Sequence, residues 1–464
     1  MALLLKKPSK ADMTEGPFLK KIILFAIPVI LTSYITALYH TIDLAVVGHY
    51  GMKGGIAAIG SVSAISSLIT ALFMGLSVGA GVVAAQRIGA GRKDEITKVV
   101  HTSALLATIL GGLISILGVI LSGTLARVMG VPADVMEQSV IYLQIHFLGT
   151  TGHMVYNYMA AILRSAGDSK RPLYFLLISG AVKVVLSIIF VGFLKFGVAG
   201  VALATCISYY LSAAMVLIYM ARKNDYLRFS IRKLGLDLSA VKQILVIGIP
   251  SGIQSSLFNL SNTVIQSSVN SFGSVAVAGN SAGDNLGTYV YYIGHGFYQS
   301  VLTFVGQNVG AKRYDNVKRV TGLCLLCTIV SQLVVGLTIL AFRSFFIGFV
   351  VAAEDTAIRE AAFLRMMIEC PVYWVCGIMD IFCGALRGMG KSVTTTIVSL
   401  LGACAFRVAW VNVIFLFVER NIGWVYVSKP ISWLIVGAFN ALFFMIYYKK
   451  IVKKQQEKLP AIPQ

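Results

Sequence analysis

Apolar residues run through this chain in long unbroken blocks rather than at alternate positions, and short polar stretches rich in Gly, Lys and Arg separate the blocks. A bilayer core needs about 20 apolar residues per helix, and blocks of that length without period-two alternation are not barrel strands. The pattern predicts twelve membrane-spanning helices. They cover residues 22–48, 56–85, 98–124, 138–163, 172–194, 198–221, 243–270, 276–305, 320–342, 361–386, 393–418 and 424–448. Lys6, Lys7, Lys10, Lys20 and Lys21 precede the first apolar run, and no small-residue cleavage pattern follows it. That run is therefore expected to stay as the first span rather than leave as a signal peptide.

Composition agrees with the pattern. Of 464 residues, 57% are hydrophobic and only 12% charged, with a mean hydropathy of +0.81; soluble chains carry about 25% charged residues. The net charge of +20 raises the question of nucleic acid. Its placement answers it. Of 39 Lys and Arg, 29 lie in the two termini and the loops after even-numbered spans, against six in the opposite loops. The remaining four, Lys183, Arg365, Arg407 and Lys429, fall within spans. The positive-inside rule then puts both termini in the cytoplasm, and a nucleic-acid partner is not expected. All seven cysteines lie in apolar segments; Cys324-x-x-Cys327 has no nearby His or second pair and reads as packing. Phosphate-cradling glycine loops and metalloprotease-type clusters are missing from the sequence. An enzyme is not expected, and the energy for any transport should come from an ion gradient.

The chain also repeats itself. "QRIGAGRKDEITKV" from Gln86 returns as "QNVGAKRYDNVKRV" from Gln307, an offset of 221. "LRSAGDS" from Leu163 returns as "LRGMGKS" from Leu386 at 223, and "AIP" ending at Pro28 as "GIP" ending at Pro250 at 222. The expected fold is therefore all-α and integral to the membrane, with twelve helices in two parallel-repeat six-helix bundles around a central cavity. The bundles cover 1–221 and 243–464, the second ending in a basic cytoplasmic tail, and a basic cytoplasmic linker covers 222–242. Six spans return the chain to the same face, so the halves run parallel, as in transporters that rock two bundles about a central site. Within the repeated loops, Gly89 and Gly310 suit helix C-caps. Asp94 and Asp315 suit the start of the next helix, as caps or as charge in the first turn.

"IDLAVVGHYG" in the first span, the paired "QRIGAGR" and "QNVGAKR" loops, "LRSAGDSKRP", "LRGMGKS" and "VAGVALAT" together resemble the MATE family of multidrug and toxic compound extrusion transporters. The resemblance covers nearly the whole chain. "PSGIQSSLFNLSNTVIQSSVNSFG" in the seventh span resembles the bacterial branch. It implies a secondary antiporter of the cell membrane that exports small, cationic organic compounds by alternating access in exchange for H+ or Na+, acting as a monomer among lipids and without a cofactor. The alternative is a flippase of lipid-linked or polysaccharide precursors from the wider superfamily.

Charges inside spans carry the candidate chemistry, because one at mid-bilayer costs about 2.5–3.5 kcal/mol and so faces a cavity or a partner. Asp43 lies in the outer third of the first span. Thr36, Tyr39, His40 and Asp43 form one polar stripe along that helix. Asp43 reads either as an ion-linked switch or as a permanent ion pair; the resemblance implies the first. Pro28 frees a backbone carbonyl and offers a hinge. Lys183 is about twelve residues from either end of its span and shares a face with Ser179 and Ser187, so it is expected to pair with an acid, Asp43 first. By the resemblance, Lys183 and Ser187 stand where sodium-coupled relatives carry oxygen ligands; a fixed amine is then expected to replace the sodium ion, leaving proton coupling or a changed substrate preference, the alternative being a lysine that merely keeps the fold. Thr205 and Asn157 are expected beside them. In the second half, Asn259, Asp284, Asp380 and Arg407 are expected to line the substrate cavity with Thr36, Tyr39 and Asn157. Arg407 stands near the repeat position of Lys183, and an Asp380–Arg407 ion pair is expected there. The seventh span lacks the acid that sodium-coupled relatives of another branch use.

Overall fold

The computed structural model describes residues 13–50, 54–417 and 420–457. Lys6, Lys7, Lys10, Lys53 and Lys458, which entered the count of loop charge, lie outside them. All regular structure among the described residues is helical. Twelve long helices follow in order: α1 Phe18–His49, α2 Gly55–Gly89, α3 Lys93–Val128, α4 Met136–Ser165, α5 Lys170–Phe193, α6 Val198–Ala221, α7 Leu238–Asn270, α8 Ser274–Gly310, α9 Tyr314–Ala341, α10 Thr356–Gly388, α11 Ser392–Ile414 and α12 Ile422–Gln456. A short helix, Arg343–Ile347, sits between α9 and α10. The fold class expected from the apolar blocks is the one observed.

Ten of these helices are apolar enough along their length to cross a bilayer, and α4 and α8 fall short. Packing explains the difference. Helix α4 lies against α2, α3 and α6 at once, and α8 lies against α9 and both parts of α10. Surfaces that face other helices carry polar groups which lipid would not tolerate. Buried on α4 are Ser139, Thr150 and Asn157; on α8, Asn280, Ser300, Thr303, Gln307 and Asn308.

By mutual contact the chain falls into two units, Leu31–Ser256 and Met1–Ile30 with Leu257–Gln464. The division is shifted from the expected 1–221 and 243–464. It cuts α1 two residues after Pro28 and α7 six residues after Pro250, because the first part of each helix packs with the other repeat's bundle. In the first unit, α2 and the start of α7 touch backbone to backbone through Gly75-x-x-x-Gly79 and Gly248-x-x-x-Gly252. A Cβ on Gly75 would fall on the Gly252 backbone, and one on Gly79 on the Ile244 carbonyl. Paired small residues four apart are the usual device for such close approach in membranes.

The repeated loops hold a surprise. Gly89 and Gly310 are the last helical residues of α2 and α8, not the caps expected of them. The left-handed residues are Gly91 (φ 69°) and Lys312 (φ 58°). At each, a turn closes in the helix-ending pattern: Arg92 N donates to Arg87 O at 3.1 Å, and Arg313 N donates to Asn308 O at 2.9 Å. Asp94 and Asp315 sit in the first turns of α3 and α9, as charge rather than as caps. The other loop residues hold the segment leading into a neighbouring helix. Gln307 Oε1 accepts from Met13 N at 3.2 Å, Asn308 Nδ2 donates to Met13 O at 3.0 Å, and Arg313 pairs with Glu15 at 2.7 Å. Correspondingly, Arg87 donates to Gln243 Oε1 at 2.9 Å, and Lys98 pairs with Asp237 at 3.8 Å.

Candidate functional site

In the first unit, α1 and α5 run side by side with matching chemistry on successive turns. The Tyr39 ring lies on Gly180, where any side chain would collide with it, and the Tyr39 hydroxyl donates to Leu177 O at 3.2 Å. One turn on, Lys183 Nζ donates to Asp43 Oδ2 at 2.6 Å, and the two side chains are 11% and 10% exposed. The expected pair is therefore formed. It is short, charge-assisted and nearly shut off from the surface. One turn further, Ser187 Oγ is buried and has no hydrogen-bond partner among the described residues. Just past it the helix widens into a π-turn over Ile188–Phe193, a distortion common at functional sites.

Aromatic groups from α4 and α6 lie within electrostatic reach of the pair. The charge of Asp43 reaches Tyr142 and Tyr209, and that of Lys183 reaches His146. These rings form a ladder. Tyr142 stacks on His146 at 6.0 Å, His146 meets Tyr209 edge-on at 6.3 Å, and Tyr209 stacks on His153 at 4.3 Å. The His146 Nδ1 is buried without a partner among the described residues. Of the other candidates, Thr205 is buried on α6, and Asn157 is buried with its amide donating to His153 O in its own helix at 2.8 Å. His40 is exposed, and so is Thr36, whose hydroxyl donates back to Thr32 O at 2.8 Å. The stripe on α1 thus divides: Tyr39 and Asp43 engage α5, while Thr36 and His40 face outward.

The second unit carries a larger network. Arg365 pairs with Asp284 and, at 3.3 Å, with Glu369, and donates to Asn280 Oδ1 at 2.6 Å. Lys429 reaches Asp284 at 3.5 Å and Glu369 at 3.3 Å. Arg365 and Glu369 are 3% and 2% exposed, whereas the Asp284 side chain is 53% exposed. The expected Asp380–Arg407 ion pair is not formed. Arg407 Nε donates to Ser432 Oγ at 2.8 Å and Nη1 to Asn262 Oδ1 at 3.2 Å, and Asp380 makes no salt bridge among the described residues. A π-turn over Leu400–Ala405 ends two residues before Arg407 and interrupts the simple helical register there. Asn259 is half-buried and its carbonyl accepts from Thr263 within α7 at 3.0 Å. Pro28 lies inside α1. Sequence reasoning left Arg365, Lys429, Tyr142 and Tyr209 without a role; the Arg365–Glu369 spacing of four was the available signal. Among the described residues no cluster of His, Cys, Asp and Glu is arranged to hold a metal, and all seven cysteines are free.

The family model MatE matches residues 28–189 and again 250–413, one copy per repeat. A probable multidrug resistance protein of Bacillus subtilis, YoeA, is 25% identical over 440 residues, covering 93% of this chain and 94% of its own. A second from the same organism, YpnP, is 30% identical over 315 residues, covering 67% and 68%. Among solved structures, a MATE protein in complex with MaL6 matches with a TM-score of 0.90 at 20% identity, covering 97% of this chain and 100% of that one. A MOP superfamily transporter from Pyrococcus furiosus, described as having a binding pocket of reverse polarity, matches at 0.88 and 20% identity over 96% and 99%.

Proposed function

The chain belongs to the bacterial MATE family of transporters, and on that footing we propose that it is a proton-coupled exporter of amphiphilic organic compounds in which Asp43 and Lys183 form the coupling pair. The observation that carries this reading is the 2.6 Å contact between Lys183 Nζ and Asp43 Oδ2. A sodium ion seeking that carboxylate would have to displace a covalently tethered ammonium. A proton need only neutralise Asp43. Protonation breaks the pair, frees Lys183 and lets α1 shift about Pro28; substrate leaves outward, the units rearrange, and loss of the proton on the cytoplasmic side restores the pair. The same reading has the protein in the cell membrane with both termini in the cytoplasm, working as a monomer by antiport; the excess of Lys and Arg in the termini and the loops after even-numbered spans supports that orientation. Cationic substrates follow from the family reading. A flippase is the second reading, favoured by the cations within spans, Lys183, Arg365 and Arg407 buried and Lys429 half-buried.

The test is uptake of a fluorescent organic cation into inside-out vesicles, driven first by a proton gradient and then by a sodium gradient. The reading expects uptake with the first and none with the second. Uptake driven by sodium alone overturns the proton assignment, and uptake driven by neither overturns antiport.

A further inference from the structure

Of the four cations that the sequence places within spans, three stand in salt bridges. Lys183 has Asp43, while Arg365 and Lys429 share Asp284 and Glu369. Arg407 has no carboxylate within salt-bridge distance among the described residues, although only 3% of it is exposed. Two of its nitrogens donate to neutral oxygens, those of Ser432 and Asn262, and its face lies over the Phe258 ring at 5.9 Å. The acid whose charge reaches it is Glu369, already held by two other cations. Arg365, Lys429 and Arg407 bring three positive charges against the two negative ones of Asp284 and Glu369, with Asp380 and Arg387 a further acid and base nearby.

A buried guanidinium without a counter-charge is strongly disfavoured, and structures keep one where a charge from elsewhere completes it. Neutral oxygens on Nε and Nη1 fix the plane of the fork without cancelling its charge, which leaves Nη2 to meet an incoming oxyanion. Lys429 lies within electrostatic reach, adding a second cation to the same side. Apolar ring surface is at hand in Phe258 and in Trp433, which packs on Tyr373 at 5.2 Å. Arg407 also holds, in the second repeat, nearly the rank that Lys183 holds in the first. One repeat thus completes its cation with its own acid, and the other leaves the place open.

We propose that Arg407, with Lys429 beside it, forms an oxyanion subsite in the C-terminal unit that takes the carboxylate of an amphiphilic substrate. This rests on the transporter reading and narrows it: the preferred compounds among the exported amphiphiles carry a carboxylate, zwitterions with a cationic group included.

All four tryptophans, Trp374, Trp410, Trp424 and Trp433, belong to this unit, so intrinsic fluorescence reports on it selectively. The experiment titrates the full chain, in nanodiscs of phosphatidylcholine, with 4-phenylbutyrate, 4-phenylbutanol and 4-phenylbutylammonium, which share a frame and differ in head-group charge. The proposal expects the carboxylate to bind about tenfold or more tightly than the other two, as a charge-assisted bond to a buried guanidinium implies. Arg407→Gln should erase that preference, and Arg407→Lys should keep part of it. Equal affinities in the wild type, preference for the ammonium, or an unchanged preference in Arg407→Gln overturns the subsite; the wild-type series decides even if that variant does not fold. Loss of phenylbutyrate binding when phosphatidylglycerol is added would assign the subsite to a lipid phosphate and overturn the substrate claim. Export of a cationic dye by wild-type protein without any carboxylate preference sinks the subsite alone. Carboxylate preference without gradient-driven export sinks the transporter reading alone.

Discussion

Replacing Lys183 with Asn removes one partner of the ion pair and leaves the other in place. Both side chains are about a tenth exposed, so Asp43 stays where water reaches it poorly. Stripping one partner from a buried pair costs about 3–5 kcal/mol, chiefly the penalty of the stranded charge. The residual exposure favours the lower end, about 3 kcal/mol, and for a unit of this size about 2 °C per kcal/mol gives a fall in Tm of about 6 °C. Neutralising both ends, Asp43→Asn with Lys183→Met, strands nothing and should recover most of that loss. The introduced amide would also offer an oxygen in place of the amine, so sodium becomes able to fill the gap. The assay is thermal unfolding of detergent-purified protein with and without sodium, beside dye export under each gradient. The expected result is a lowered Tm for Lys183→Asn that sodium partly restores, with sodium-stimulated export appearing. An unchanged Tm and unchanged ion dependence, or a double variant that loses the sum of its parts, would refute the pairing argument.

Three further outcomes follow from the geometry. Lys312→Gly relieves a left-handed residue at φ 58° and should stabilise by about 0.5–1 kcal/mol, read as a raised Tm; a lowered Tm contradicts the assignment of strain there. Gly75→Leu should abolish folded protein because its Cβ meets the Gly252 backbone, while Gly60→Leu, with open space around it, should purify normally by size-exclusion chromatography. Gly180→Ala should push the Tyr39 ring away and weaken export, with Tyr39→Ala in the same chain restoring it; failure of that rescue would separate the Tyr39 contact from the coupling pair.

Much of the architecture was legible because membrane insertion leaves a coarse mark. Apolar blocks of the right length located all twelve helices, and the repeated loops revealed the duplication. The unit boundaries were not legible, because the exchange of the starts of α1 and α7 depends on packing between distant segments, such as Gly75 against Gly252. Asp43 and Lys183 were legible as partners since each is costly alone and each is otherwise unmatched. Asp380 and Arg407 looked equally suited, but Arg407 takes Ser432 and Asn262 as its partners instead, hydrogen bonds to neutral groups that charge counting alone does not foresee. The aromatic ladder of Tyr142, His146, Tyr209 and His153 was hidden for another reason: single rings on apolar helices are common, and only the distances between α4 and α6 make these four a set.

The central claim is that Asp43 exchanges a proton as the transporter turns over. It is tested most directly by bringing purified protein to a pH low enough to protonate Asp43 and break the pair, then counting protons released into weakly buffered solution when a saturating transported substrate is added, read with a pH indicator. The account predicts release from the wild type, none from Asp43→Asn, and retained substrate binding in that variant. No proton release from a wild-type protein that binds its substrate, or equal release from Asp43→Asn, would contradict it.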